Sequence, residues 1–321
     1  MDALATLLDG PRARGAFLIR SVMKSPWCIR VEDEAPLTLL IMRRGEARIV
    51  SEAPNASRVP AALRAGDMAI VRGPHPCTMG DDTSRRPQAL IQPGPQCTTP
   101  PGIPPGEAME LFGVRSWGNA IDGPTEFLVG TYRVQGEISR RLLDALPVLL
   151  VLPGGVGLPL AELLADEALK DEPGQAVVID RLLDVLIVAV VRTWFSRADA
   201  RAPKWYTALS DAVVGKALRV IHDRPDQPWT VESLAKDAGV SRAAFARRFV
   251  SLTGESPMAY LTSWRLALAA DLLCEPEITI ADVAQRVGYG SAFALSAAFK
   301  RERGISPQQH RDRSAPLRSP S

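Results

Sequence analysis

The chain has 321 residues, too many for one small core and enough for two domains. A hydrophobic fraction of 46% excludes a mainly disordered chain, and a net charge of +2 by itself points to no charged partner. The distribution says more: from Trp205 onward 15 Lys/Arg stand against 12 Asp/Glu, and before it 23 against 24. Cys28, Cys77, Cys97 and Cys274 show no CxxC or Cys/His metal spacing, and the start has no signal-peptide pattern. Together these point to a reduced cytoplasm.

In chain order, short apolar runs come first: 29–31, 37–42, 47–50 and 68–71, each set off by Gly, Pro, Asn or Asp. Their even spacing predicts a small antiparallel barrel or sandwich. The Pro/Gly-rich stretch 92–106 (QPGPQCTTPPGIPPG) reads as a loop, and strands resume at 108–114 and 126–132. After Leu142 the period changes towards helix, with apolar residues three and four apart over 159–170 and 175–198. The stretch 176–195 (AVVIDRLLDVLIVAVVRTWF) approaches membrane length. Asp180, Arg181, Asp184 and Arg192 interrupt it, so a buried or dimer-forming helix is expected and no membrane. A linker is expected at 201–207, helices over 208–313 with turns at Gly239, Gly254, Pro257, Pro276, Gly288 and Gly304, and a frayed tail at 314–321.

The helical part contains an internal repeat. Its copies are TVESLAKDAGVSRAAFARRFVSLTGESP (230–257) and TIADVAQRVGYGSAFALSAAFKRERGISP (279–307). Leu234, Ala235 and Gly239 match Val283, Ala284 and Gly288 at an offset of 49. Ser241, Phe245, Phe249, Gly254, Ser256 and Pro257 match Ser291, Leu295, Phe299, Gly304, Ser306 and Pro307 at an offset of 50, so the second turn holds one extra residue. Each copy reads as helix-turn-helix, over about 230–251 and 279–302. Thr230 and Thr279 cap a first helix, with Glu232 and Asp282 favoured by its N-terminal dipole. Gly239 and Gly288 allow the sharp turn, and Ser241 and Ser291 cap a second helix. Phe245, Phe249, Leu295 and Phe299 pack back onto the first helix, leaving an outer face of short or basic residues, as a helix in a major groove requires. Between the copies, 258–273 forms a helix that would hold the two reading helices roughly one DNA turn, about 34 Å, apart. A helical hairpin used only for protein contacts is the bland alternative, but such repeats sit closer and recur at least three times.

Residues from about 210 to 313 resemble the DNA-binding domain of the AraC/XylS family, most specifically VAQRVGYGSAFALSAAFKRERGISPQQHR (283–311). The resemblance implies a bipartite reader of double-stranded DNA, with RNA polymerase as partner if it is an activator, to which family habit leans. Carried over by position, the first reading helix presents Ser241, Arg242, Ala243, Ala246, Arg247 and Arg248. Arg247 is the leading base contact, with Arg242 and Arg248 on bases or phosphates; a merely solvated basic face is the alternative. The second presents Ser291, Ala292, Phe293, Ser296, Lys300, Arg301 and Arg303. It departs from the family where Ala297 replaces the usual Arg, which leaves Ser296 and apolar contact with thymine methyls for readout. Lys300, Arg301 and Arg303 fall to phosphates.

The front half, through PWCIRVEDEAPLTLLIMRRGEARIV, LRAGDMAIVRGPHPCTM and LVGTYRV…LLDALPVLLVLP, resembles the cupin-like sensor domain of one AraC-type subfamily. The implied fold class is α+β in two domains: a cupin-like sensor and dimerisation domain over 1–200 (barrel about 10–140, helices about 142–198), then an all-α tandem helix-turn-helix domain over 208–313. A small-molecule effector in the barrel is expected, with Trp27, Arg30, Met42, Met68 and His75 as candidate lining. A cysteine redox switch through Cys28, Cys77 and Cys97 is one alternative, and ligand-independent dimerisation another. Cupin enzymes hold a metal with two or three His and a carboxylate, which His75 alone cannot supply, so no metal, cofactor or enzyme activity is expected. A metal cupin enzyme is the alternative class. The helix over 177–195 is the candidate homodimer surface, with packing between domains as its rival.

Overall fold

The computed structural model describes residues 17–94, 97–132, 136–154, 158–197, 202–275 and 277–314. Within these, contacts group 17–132 with 146–197 as one unit and 136–145 with 202–314 as a second.

The strands of the first unit are β1 (Phe17–Met23), β2 (Cys28–Val31), β3 (Leu37–Arg44), β4 (Glu46–Ser51), β5 (Ala61–Arg64), β6 (Met68–Arg72), β7 (Cys77–Gly80), β8 (Ala89–Ile91), β9 (Cys97–Thr98), β10 (Glu110–Gly113), β11 (Ser116–Gly118), β12 (Thr125–Tyr132) and β13 (Leu149–Leu152). They form two sheets, ordered β10-β11-β1-β12-β3-β6-β13 and β5-β4-β7-β2-β8-β9. The pairs β1·β11 and β2·β8 run parallel and the other described pairs antiparallel. Buried side chains from both sheets fill the space between them, among them Met23, Trp27, Ile29, Met42, Ile49, Met79 and Phe127. Trp27 stacks on Phe127 with ring centroids 5.5 Å apart.

Two helices belong to the same unit, α2 (Leu158–Ala168) and α3 (Gln175–Phe195). Alpha3 seats on the seven-stranded sheet: the Tyr132 hydroxyl donates to the Leu183 carbonyl at 2.8 Å. Gly130 lacks a side chain where Leu183 packs, since a Cβ there would lie 2.7 Å from Leu183 Cδ2. Among the described residues no helix is long and apolar enough to cross a membrane.

The structure corrects three expectations here. The stretch read as turning to helix after Leu142 contains β13, which pairs Leu149–Leu152 with Met68–Val71. Its run LPVLLVLP is apolar on both faces, as suits a strand covered on both sides, and so lacks a readable period. The loop read over 92–106 holds the two-residue β9. The linker read at 201–207 holds most of the short helix α4 (Lys204–Ala208), whose Ala208 is buried in the second unit's core; residue 201 lies outside the described residues. Of the tail expected over 314–321, Ser314 is the last residue of a helix and 315–321 lie outside the described residues, as does Pro276.

The second unit comprises α1 (Glu137–Asp144), α4, α5 (Val214–Asp223), α6 (Val231–Asp237), α7 (Arg242–Thr253), α8 (Pro257–Leu273), α9 (Ile280–Arg286), α10 (Ala292–Arg303) and α11 (Pro307–Ser314). Its buried side chains make two cores. One gathers Val214, Leu218, Ile221, Leu234, Phe245, Phe249 and Trp264. The other gathers Leu266, Val283, Val287, Leu295 and Phe299. Alpha8 serves both, giving Tyr260, Leu261, Trp264 and Ala267 to the first and Leu266, Ala269, Ala270 and Leu273 to the second. Pro257, read as a turn, opens this helix at its first position, where a missing N–H costs nothing.

Candidate nucleic-acid interface

Each repeat folds locally for reasons its own residues supply. At the start of α6 the Thr230 side chain accepts the Ser233 N–H (3.0 Å), while the Ser233 hydroxyl accepts the Thr230 N–H (2.9 Å). At the start of α9 Thr279 accepts the Asp282 N–H (3.1 Å), and the Asp282 carboxylate accepts the Thr279 N–H (3.3 Å). Reciprocal caps of this kind are each worth about 1 kcal/mol. The turns then need left-handed backbone, supplied by Gly239 (φ 73°) and Gly288 (φ 82°). Gly288 is doubly required: a Cβ would lie 2.6 Å from Arg265 Nη2 and 2.7 Å from the Pro225 carbonyl. Arg265 is held there by donating to the Pro225 and Gln227 carbonyls, both at 2.7 Å.

Alpha7 and α10 follow, capped by Ser241, which accepts the Ala244 N–H at 3.3 Å, and Ser291, which accepts the Ala294 N–H at 3.1 Å. On α7 Phe245 and Phe249 point inward, while Ser241, Arg242, Ala243, Arg247 and Arg248 are exposed and Ala246 is half-buried. Two shallow depressions, about 370 and 430 Å³, flank this helix; Arg247 and Arg248 line one and Arg242 the other. On α10 Ser291, Phe293, Ala297, Lys300 and Arg301 are exposed, Ala292 and Ser296 half-buried, and Leu295 and Phe299 buried. Among the described residues Arg242, Arg247, Lys300 and Arg301 form no ion pair.

Two arginines assigned to DNA from sequence also make ion pairs within the fold. Arg248 grips Asp211 through Nε (3.0 and 3.1 Å) and Nη2 (2.6 Å). Asp211 also accepts the Val213 and Val214 N–H groups. The Arg248 bond, with these amides, holds the Asp211 carboxyl down at about 2. Arg248 therefore fastens α7 to the loop before α5. Arg303 is half-buried: it pairs with Glu137, donates to the Leu266 carbonyl at 3.3 Å and lies 4.9 Å over the Phe299 ring. Burial pulls its pKa down. With the Glu137 N–H donating to Asp271 at 2.6 Å, this pair anchors α1 to the second core. Arg311 is likewise internal, donating to the carbonyls of Leu273 (3.2 Å) and Ile278 (2.7 Å).

A family model described as Cupin matches residues 2–196, and one described as Helix-turn-helix domain matches 234–313. A Streptomyces lividans protein described as an AraC-like transcription regulator is 30% identical over 321 residues, covering 97% of this chain and 98% of its own. The chain belongs to the AraC-like transcription regulators. The regulator AlkR of Acinetobacter baylyi is 39% identical over 181 residues, 54% of this chain and 58% of AlkR. The solved DNA-binding domain of AdpA, in complex with a target DNA, is 36% identical and covers 32% of this chain and 93% of that one, with a TM-score of 0.31.

In this AraC-like regulator the five residues read as an effector lining lie in different surroundings. Trp27 and Met42 are packed in the intersheet core. Met68 is also buried but lies outside that core; its neighbours Ala69 and Val71 face the intersheet space. Arg30 pairs with Glu32 and Glu52, and His75 is exposed in the loop after β6. The strands β3 and β6 are buried on both faces, which removes the alternation that would have told inside from outside.

The three cysteines do not pair either. Cys28 faces Gly80 and Cys77 faces Val31 across β2·β7, three residues, or about 10 Å, apart along the strands. Cys77 and Cys97 share one row, but β2 and β8 lie between their strands, a separation of about 14 Å. Both gaps exceed the reach of a disulfide. Burial raises the Cys28 thiol to about 11 and the Cys77 thiol to about 12, suppressing the reactive thiolate.

A feature invisible in the sequence pattern is the Glu126 cluster. This buried carboxylate accepts Arg20 through Nε and Nη2 (both 3.0 Å), Arg43 (2.6 Å) and Arg44 (2.5 Å). Beta12 lies between β1 and β3 and so brings the four together.

Proposed function

We propose that this regulator reads a bipartite DNA site, with α7 and α10 entering successive major grooves on one face of the duplex. The observation that carries the reading is the pair of separately cored helix-turn-helix units sharing α8, each with exposed cations on its outer helix. Alpha8, 17 residues long, spans about 25 Å and acts as the spacer. In the first unit Arg247 reads a guanine edge and Arg242 a phosphate; Ser241, Ala243 and Ala246 permit close approach. In the second, Ser291, Ala292, Phe293 and Ser296 face the bases, and Lys300 and Arg301 the backbone.

Arg247→Ala is expected to weaken binding to the selected site by about 1–3 kcal/mol and to relax base preference at one position. Arg301→Ala should weaken all sequences alike and lower the salt dependence by about one counterion. Titrations of duplexes across salt concentrations separate the two. An Arg247→Ala protein that discriminates like wild type would remove that residue from base readout.

The cupin unit is proposed as a dimerisation platform. On α3, Val178, Leu182, Val185 and Ala189 recur at intervals of four and three, the spacing of a coiled-coil seam. Val178 and Val185 are 42% and 51% exposed there. A side-chain-filled intersheet space favours this role over enclosure of a small-molecule effector. Activation through RNA polymerase is the output the family implies. Sedimentation should give the mass of two chains, and of one for Val185→Asp; a monomeric wild type would exclude the platform.

A further inference from the structure

Phe293, the second residue of α10, is 83% exposed, more than any other large apolar side chain described. Residues 293, 297 and 301 fall on one helix face at intervals of four. That face carries the ring, then exposed Ala297, then exposed Arg301, with Lys300 beside it. The ring thus stands clear of tall neighbours at the N-terminal end of the helix, where a reading helix meets base edges, and cations follow where the backbone passes. Fifty residues earlier, the matching positions of α7 hold Ala243 and Arg247. The two helices have exchanged chemistry: small then cationic in the first, aromatic then small in the second.

A phenyl ring has no hydrogen-bonding group, so the donors and acceptors of guanine, cytosine and adenine mean nothing to it. The one apolar feature in the major groove is the thymine 5-methyl. We propose that Phe293 is a specificity-determining residue that reads thymine methyls. The operator is then unequal in composition, with guanine under α7 and thymine under the start of α10. This rests on the bipartite reading above.

The test uses the full chain and a duplex selected from a random pool. Each thymine of the second half-site is replaced in turn by deoxyuridine, which removes the methyl and nothing else. One or two positions should lose about threefold to fivefold in affinity, the value of burying one methyl. Phe293→Ala should bind more weakly and be indifferent to uracil, whereas Phe293→Leu should keep part of the preference. Phe293 is exposed and alanine favours helix, so the variant keeps its fold. A wild type that binds but ignores uracil at every position, or a Phe293→Ala protein that keeps the full methyl preference, overturns the proposal alone. Unchanged DNA affinity of Phe293→Ala also overturns it and assigns the ring to a protein partner. Failure to select any duplex overturns the bipartite reading, and this inference with it.

Discussion

Replacing Phe299 with alanine is expected to destabilise the second helix-turn-helix unit by about 3–5 kcal/mol and to spare most of the first. The ring is fully buried among Leu266, Val283, Leu295 and their neighbours. The Arg303 guanidinium lies 4.9 Å from its centroid, and the His310 ring stands T-shaped to it with centroids 5.5 Å apart. Its loss removes apolar burial and leaves a cavity whose lining is held by capped helix ends and can collapse only partly. The first core uses different side chains and touches this one chiefly through α8. Hydrogen exchange is the direct measurement: amides of α9 and α10 should open more easily by that amount, and those of α6 and α7 far less. On DNA, protection should survive over one half-site. Equal loss in both units would show that the two cores melt as one, and would remove the modular basis of the account.

Glu126→Gln should cost the cupin unit about 3–5 kcal/mol, since it leaves three guanidiniums converging on a neutral amide. Glu126 is 2% exposed, so solvent screens the cluster weakly. Burial alone would raise its pKa, but the bonds from Arg20, Arg44 and Arg43 outweigh that and hold it at about 2, below the ordinary 4.5. The sign follows: a depressed folded-state pKa stabilises the fold above about 4.5, and the contribution fades as pH falls towards 2. Denaturation at pH 7 and pH 3 should therefore show wild type ahead of the variant by less at the lower pH. A gap that is absent at pH 7, or identical at both, contradicts this reading.

The helix-turn-helix units were legible because their determinants are local. Thr230, Thr279, Ser241 and Ser291 cap where they were read to cap, and the extra residue of the second turn lies between Gly288 and Ser291. The roles of Arg248 and Arg303 were not legible. In sequence they are two more cations on basic helices; only the fold brings Asp211, 37 residues away, and Glu137, 166 away, against them. The same holds for Glu126, whose partners lie on two other strands. In the cupin unit, runs apolar on both faces hid which way Met42 and Met68 point and concealed β13. Local chemistry thus foretold the two helix-turn-helix units, while long-range pairing set the partners of Arg248 and Arg303.

The most direct test is a groove-resolved footprint of the full wild-type chain on its selected duplex, mapping contacted guanine N7 and thymine positions. Two contacted segments centred about one helical turn apart on the same face of the DNA are expected. A single segment, or two on opposite faces, would contradict the bipartite reading.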